Sequence, residues 1–89
     1  MEIMKEIIFS NHALRKIEIL HKHGIIMTTD FIKNALWSPD KIERGYKERF
    51  IAQKKMDDEH VLRVVYEEYA DHLLIITLYP GRSGRYEKD

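Results

Sequence analysis

Apolar residues follow two different spacings along this chain, and the change from one to the other lies near Pro39. Between Ser10 and Leu36 they recur every three or four residues, which predicts amphipathic helices. Elsewhere they gather in short runs rich in Val, Ile, Leu and Tyr, which predicts strands. The pattern therefore predicts a strand, two helices, three or four antiparallel strands and a polar tail.

The N-terminal part is predicted to form an edge strand and a first helix. The strand covers Ile3 to Phe9, where apolar residues are mixed with charged ones. Ser10 or Asn11 is expected to cap the helix, and Gly24 to follow its last turn. The apolar side of this helix is expected to contain Ala13, Leu14, Ile17 and Leu20.

A second, shorter helix is predicted after the segment IIM. Thr28 or Thr29 can cap its start. Pro39 ends it, because the residue before a proline is pushed out of the helical region. Its buried stripe is expected to contain Phe31, Ile32, Ala35 and Leu36.

The strands of the C-terminal half are marked by apolar runs between polar turns. One is predicted over Arg49 to Lys55, with Ile42 as a plausible start for another. The stretch LRVVYEEYADHLLIITLYPGRSGRY, residues 62–86, contains two apolar runs separated by Glu67 to Asp71, which is typical of an antiparallel hairpin. Both runs are apolar at nearly every position, so these strands should lie in the middle of a sheet. Pro80-Gly81 is expected to end the second one.

Strand parity divides the first hairpin strand between two faces. Alternate residues from Leu62 to Tyr66 are assigned to the face covered by the helices. Arg63 falls on the opposite, open face, where a charge is costly unless it is paired or meets a ligand anion. Pairing with Glu67 or Glu48 and binding of an anion are both open from the residues alone.

These elements indicate an α+β domain of two layers. The helix pair is expected on one face of a twisted antiparallel sheet of about four strands. With 89 residues the chain is long enough for one domain, assigned to residues 1–89, and too short for two.

Composition and charge indicate the cellular compartment and the kinds of partner that the chain can have. The chain has no cysteine, which excludes disulfides and thiolate metal sites and suits a reducing cytosol. The opening MEIMKEIIFSNH has too short an apolar run for a signal peptide, and no window approaches a transmembrane span. Fifteen basic residues match fifteen acidic ones, so only a local arrangement of cations could favour nucleic acid. A cytoplasmic protein without a membrane partner is the expectation.

The closing segment resembles that of a known toxin superfamily. An Arg-bearing strand ending in Tyr-Glu, an apolar strand, a basic turn and a Tyr make its pattern similar to the RelE/ParE superfamily. His12-Ala13-Leu14 at the start of the first helix, Lys16, and Pro39 after the second helix resemble the narrower BrnT-like branch and related small stand-alone domains. The resemblance extends from about Phe9 to Tyr86.

The resemblance implies a RelE-like two-layer fold and the activity of a metal-independent endoribonuclease from a toxin–antitoxin system. Such toxins often cut messenger RNA at the ribosome, with the 2′-hydroxyl as internal nucleophile. The implied partners are RNA and an antitoxin protein that blocks the basic face, and no cofactor is implied. The alternative on the same scaffold is a non-catalytic binding or interaction domain.

Carried over by position, the resemblance also implies functional residues. Arg63 matches the strand arginine that stabilises the phosphate, Arg82 or Arg85 the arginine of the basic turn, and Tyr86 the C-terminal tyrosine. His12 belongs to the pattern of the narrower branch, and its imidazole is suited to acid–base work. The implied RNA-binding residues are Lys54, Lys55 and Tyr79. On a regular strand only one of the two adjacent lysines can face the site.

The chain departs from the superfamily pattern in its charge. It is neutral where many such toxins are basic, and Ser83 and Gly84 dilute the basic turn. His21 and His23 are two apart on a helix and point in different directions, so a metal-binding pair is not expected there.

Overall fold

The computed structural model describes residues 5–86, with the backbone alone for residues 85 and 86, and shows two helices packed on a five-stranded sheet. A single turn of helix follows the last strand. The elements are β1 Glu6–Phe9, α1 Asn11–Lys22, α2 Thr29–Trp37, β2 Lys41–Arg44, β3 Phe50–Lys55, β4 His60–Glu68, β5 His72–Arg82 and α3 Ser83–Tyr86. The predicted α+β class is confirmed. No described helix is both long and apolar enough to cross a membrane.

The sheet has five strands where about four were expected, and it is mixed where it was expected to be antiparallel. The strand order is β1-β5-β4-β3-β2. β1 lies at an edge, as predicted, but runs parallel to β5, while the other neighbours are antiparallel. The additional strand arises because residues 41–55 fold into a hairpin, with Ile42 of β2 opposite Ala52 of β3.

Short polar side chains define where the helices begin. The Ser10 hydroxyl accepts a hydrogen bond from the Ala13 amide at 3.0 Å, and the Thr28 hydroxyl accepts one from Phe31 at 3.0 Å. Gly24 follows α1 with a φ of 84°, a conformation that glycine adopts without steric cost. These contacts identify Ser10 and Thr28 as the caps and confirm the position predicted for Gly24.

The core lies between the helices and one face of the sheet. Ile32 of α2, Leu62 of β4 and both Ile75 and Leu78 of β5 are fully buried. Burial of each such side chain is worth about 1.5–3 kcal/mol. Ile75 and Leu78 reach the same face although they are three residues apart, because a bulge at Ile76 shifts the register of β5 against β4.

The same Ser10 that caps α1 also fixes this bulge. Its hydroxyl donates to the Ile76 carbonyl at 2.9 Å, and its backbone amide donates to the Ile75 carbonyl at 3.0 Å. One side chain therefore joins the start of the first helix to the centre of the longest strand.

The prediction that Pro80-Gly81 ends the second hairpin strand is wrong. β5 continues to Arg82, with Pro80 opposite Leu62 and His60 opposite Arg82. A proline is tolerated here because β1 borders β5 only as far as Ile75, so one side of Pro80 has no strand neighbour in the described part of the chain.

The register places the residues of β4 on the faces that parity predicts. Leu62, Val64 and Tyr66 belong to the core beneath the helices. Arg63 lies on the opposite face, directly across from Gln53 of β3 and Tyr79 of β5. Because paired residues share a face, the pairs Leu62–Pro80 and His60–Arg82 lie on the helix side of the sheet.

Candidate functional site

Arg63 occupies the centre of the open sheet face and is held on all sides by neighbouring strands. Its Nε donates to the Tyr79 hydroxyl at 3.1 Å, Nη1 donates to the Gln53 side-chain carbonyl, and Nη2 donates to Glu43 Oε1 at 2.9 Å. Its side chain is only 5% exposed, and the guanidinium carbon lies 5.9 Å from the centre of the Tyr79 ring. The cation is therefore bonded through every nitrogen to groups of the protein itself.

The charge balance around Arg63 is reflected in the pKa values. Burial by itself would lower the pKa of Arg63, but its hydrogen bonds with Glu43 and Tyr79 raise that pKa above the usual value. The hydrogen bond from Arg63, followed by that from Lys41, lowers the pKa of Glu43. Both groups stay charged at neutral pH.

The structure shows a carboxylate beside Arg63 that the sequence did not suggest. Glu43 on β2 forms an ion pair with it. Glu67 accepts a hydrogen bond from Arg49 at 3.0 Å. Glu43 reaches Arg63 because β2 lies beside β3 in a hairpin that the sequence pattern did not resolve.

A second location, an open groove of about 470 Å³, lies on the helix side at the end of the sheet where β4 begins and β5 ends. We call it the His60 groove. Its walls come from the α1–α2 loop, the β3–β4 turn and the end of β5, and its lining residues are Gly24, Ile25, Ile26, Met56, Asp57, His60, Pro80, Gly81 and Arg82. One wall is apolar and the other carries an imidazole, a carboxylate and a guanidinium.

The imidazole of His60 is held by Asp57. His60 Nδ1 lies 3.0 Å from Asp57 Oδ1 and 3.2 Å from Oδ2. Asp57 Oδ1 also accepts hydrogen bonds from the backbone amides of Glu59 and His60, each at 2.8 Å. The Glu59 amide bond first, and then the His60 side chain, lowers the pKa of Asp57, so its carboxylate stays ionised.

Arg82 is the cation of this groove. It is the last residue of β5, lies directly across from His60, and is exposed. Within the described residues no carboxylate forms an ion pair with it. Arg82 is thus placed as predicted at a sheet edge, but on the face opposite to the one that carries Arg63.

The two predicted lysines also separate between the faces, as the alternation of a strand requires. Lys54 lies opposite Leu62 on the helix side, and its Nζ donates to the Ser38 carbonyl at 2.7 Å. Lys55 lies opposite Val61 on the face of Arg63, and its Nζ is 3.6 Å from Asp58. Only Lys55 therefore shares a face with Arg63 and Tyr79.

His12 and the tail residues do not add to either cluster in the described part of the chain. His12 is exposed in the first turn of α1. The cap of that helix is bonded to Ile76, six residues from Arg82 and so roughly 20 Å away along the strand. The side chains of Arg85 and Tyr86 lie outside the described part of the structure, although the backbone of α3 includes both.

Two residues of the groove, Asp57 and His60, are not among the site residues predicted from the sequence. Asp57 lies in the polar turn before β4, and His60 is the first residue of that strand. The sequence does contain a local indication of this arrangement. An aspartate side chain can accept hydrogen bonds from backbone amides two and three residues later, as Asp57 does from Glu59 and His60, and also from a histidine side chain three residues later. Among the described residues, no three His, Asp or Glu side chains come together in an arrangement that could hold a metal ion.

Comparison of the chain with family models, with curated proteins and with solved structures finds no match. The resemblance to the RelE/ParE superfamily therefore stays a prediction from the sequence.

Proposed function

We propose that this protein is a toxin-like, metal-independent endoribonuclease that cleaves RNA by attack of a 2′-hydroxyl, with the reacting phosphate bound at Arg82. The observation that carries the proposal is Arg82, which is exposed, has no ion-pair partner among the described residues, and lines the His60 groove together with Ile25, Ile26 and Met56. A cation beside an apolar wall suits a nucleotide, whose phosphate needs a positive charge and whose base needs a surface to pack on.

The groove has the size and composition of a ligand site. Its volume of about 470 Å³ falls within the range of roughly 300–1,000 Å³ found for small-molecule pockets. A guanidinium can stabilise the charge that develops on the phosphate oxygens during 2′-hydroxyl attack. α3 starts directly after Arg82, which keeps Arg85 and Tyr86 close to this end of the sheet along the chain.

Arg63 has a different part in this proposal. Its three bonded nitrogens hold β2, β3 and β5 around β4, so it stabilises the strand that begins with His60. Tyr79 and Lys55 lie on the same face as Arg63 and are available to a longer RNA that passes over the strand end. The proposal places the protein in the cytoplasm, with RNA as substrate and an antitoxin protein as partner.

The test is an RNA cleavage assay with the purified protein. Arg82→Ala should reduce the cleavage rate about 100-fold, the usual cost of removing one group that stabilises a developing oxyanion. Arg15→Ala, which removes an exposed arginine from α1, is the matched control and should cut like the parent. An RNA with one 2′-deoxy residue should resist cleavage at that residue, and EDTA should leave the rate unchanged.

A second candidate function is that of a non-catalytic binding domain. It is favoured by the hydrogen bonds that Arg63 makes through all three of its side-chain nitrogens. A guanidinium whose nitrogens are all bonded within the protein stabilises the fold without any ligand. A parent protein that neither cuts RNA nor slows bacterial growth, but still binds RNA or a protein partner, would establish this candidate in place of the first.

A further inference from the structure

The proposed reaction requires a group that accepts the proton of the 2′-hydroxyl, and Arg82 cannot supply it. Arginine stays protonated at all accessible pH values, so it can stabilise a phosphate but cannot act as a base. Among the described residues that line the groove, Asp57 and His60 can accept a proton. The Asp57 carboxylate is already bonded to two backbone amides and to the His60 ring, so the imidazole of His60 is the group better placed for this task. It is 44% exposed, so a substrate can reach it.

The geometry around His60 leaves one ring nitrogen available. A carboxylate can only accept, so the contact with Asp57 places the proton on Nδ1 and the lone pair on Nε2. No group within residues 5–84 forms a hydrogen bond with Nε2. Asp57 is itself fixed by two backbone amides, and this fixes the direction in which the ring points.

We propose that His60 is the general base of the reaction, that Asp57 is the residue that positions it, and that Arg82 binds the same phosphate. This assignment rests on the proposed function. His60 and Arg82 are direct partners across β4 and β5, so their backbones are about 5 Å apart and both side chains lie on one face. A base and a cation in this arrangement can contact a 2′-hydroxyl and the adjacent phosphate of one nucleotide.

The chemical step is complete with these groups and solvent. Nε2 of His60 takes the proton from the 2′-hydroxyl while the 2′-oxygen forms a bond to phosphorus. The bond from phosphorus to the 5′-oxygen breaks, and that oxygen takes a proton from water. The products are a 2′,3′-cyclic phosphate and a 5′-hydroxyl. The imidazolium is stabilised by Asp57 and then returns its proton to solvent.

The chain contains a second His–Asp pair that serves as a control. His72 Nδ1 lies 2.7 Å from Asp71 Oδ1, but this pair lies at the opposite end of β5, beside β1. Its ring stacks on Tyr69 with a centroid distance of 4.7 Å, and it is absent from the His60 groove. The two pairs share their chemistry and differ in their surroundings.

Two titratable groups line the groove beside His60 within the described residues. Asp57 comes from the β3–β4 turn and Arg82 from β5, while the α1–α2 loop contributes Gly24, Ile25 and Ile26. Arg82 keeps its charge, and Asp57 stays ionised down to acid pH because its pKa is lowered. The cleavage rate of the parent should therefore rise with pH, because a general base acts in its unprotonated form.

The experiment compares four variants in the RNA cleavage assay and records the rate against pH. His60→Gln should lose about 100-fold or more in rate, together with the rising limb of the pH profile. Asp57→Asn keeps an oxygen for the backbone amides but loses the carboxylate, and should lose about 10-fold. His72→Gln and Asp71→Asn should match the parent in rate and in pH profile. Thermal unfolding verifies that each variant is folded.

The outcomes separate this assignment from the proposed function. If His60→Gln cuts RNA like the parent while Arg82→Ala does not, the assignment of the base is overturned and the proposed function stands. Equal loss in His60→Gln and His72→Gln would also overturn the assignment, because it would show a general requirement for histidine. A parent that cuts no RNA overturns both.

Discussion

Arg63 and Arg82 lie on neighbouring strands of one sheet, yet their surroundings differ in almost every respect. Arg63 is in the middle of β4, nearly fully buried, and bonded to side chains from three other strands. Arg82 ends β5, is exposed, and has no ion-pair partner among the described residues. The difference shows that the position of a cation along a strand decides whether it serves the fold or remains available to a ligand.

The physical reason is the cost of removing a charge from water. A guanidinium inside a sheet face folds only if the sheet provides acceptors for it, and Gln53 and Tyr79 do so from the positions directly across. A guanidinium at a strand end keeps its hydration until a ligand replaces the water. An exposed arginine such as Arg82 can therefore bind a ligand with little effect on the free energy of folding, whereas the buried Arg63 is needed by its hydrogen-bond partners.

The largest effect expected from this comparison is on stability. Arg63→Ala should lower the free energy of unfolding by about 3 kcal/mol, since removing one member of a buried ionic network leaves its partners without their bonds. Urea denaturation followed by circular dichroism measures the shift. Arg82→Ala is the control for stability and should unfold at the urea concentration of the parent. An Arg63→Ala protein as stable as the parent would contradict the structural role.

The features predicted correctly from the sequence depend on neighbouring residues. Ser10 and Thr28 cap helices through their own side chains, and Gly24 supplies a left-handed conformation at a helix end. The assignment of Leu62 and Arg63 to opposite faces follows from strand parity alone. These features could be predicted because the interactions span only a few residues.

The features that were missed depend on pairings between distant parts of the chain or on an unusual turn. The β2–β3 hairpin turns at Lys47 and Glu48, with φ of 57° and 61°, where sequence rules look for Asn-Gly. The sequence indicates Ile42 as the start of a further strand but not its pairing with β3, so the carboxylate of Glu43 could not be placed beside Arg63. The face of Arg82 was missed because the strand was expected to end at Pro80, two residues earlier.

A smaller effect is expected when one bond of the buried network is removed. Tyr79→Phe deletes the hydroxyl that accepts from Arg63 Nε and keeps the ring beside the guanidinium. The free energy of unfolding should fall by about 1.5 kcal/mol, because the hydrogen bond involves a charged donor that is then left buried. Tyr69→Phe is the matched control: its hydroxyl bonds to Glu67 at the surface, and its loss should have less effect on the urea midpoint. Equal midpoints for the two variants would show that the Arg63 network tolerates the loss of its bonds.

The smallest effect is the acid dependence of the exposed end of that network. The pKa of Glu43 is lowered in the folded protein by Arg63 and then by Lys41, so the contribution of Glu43 to stability is fully present above its ordinary pKa of 4.5. It is lost as the pH falls through the lowered folded-state pKa, because the unfolded chain then binds the proton more readily. Glu43→Gln should therefore unfold at lower urea concentration than the parent at pH 7, and the difference should shrink below pH 4.5. Glu18→Gln, an exposed change on α1, should follow the parent at both pH values. A difference between Glu43→Gln and the parent that stays constant with pH would mean that the Arg63–Glu43 ion pair adds nothing beyond a neutral hydrogen bond. The distinction between the buried and the exposed arginine would then depend on Gln53 and Tyr79 alone.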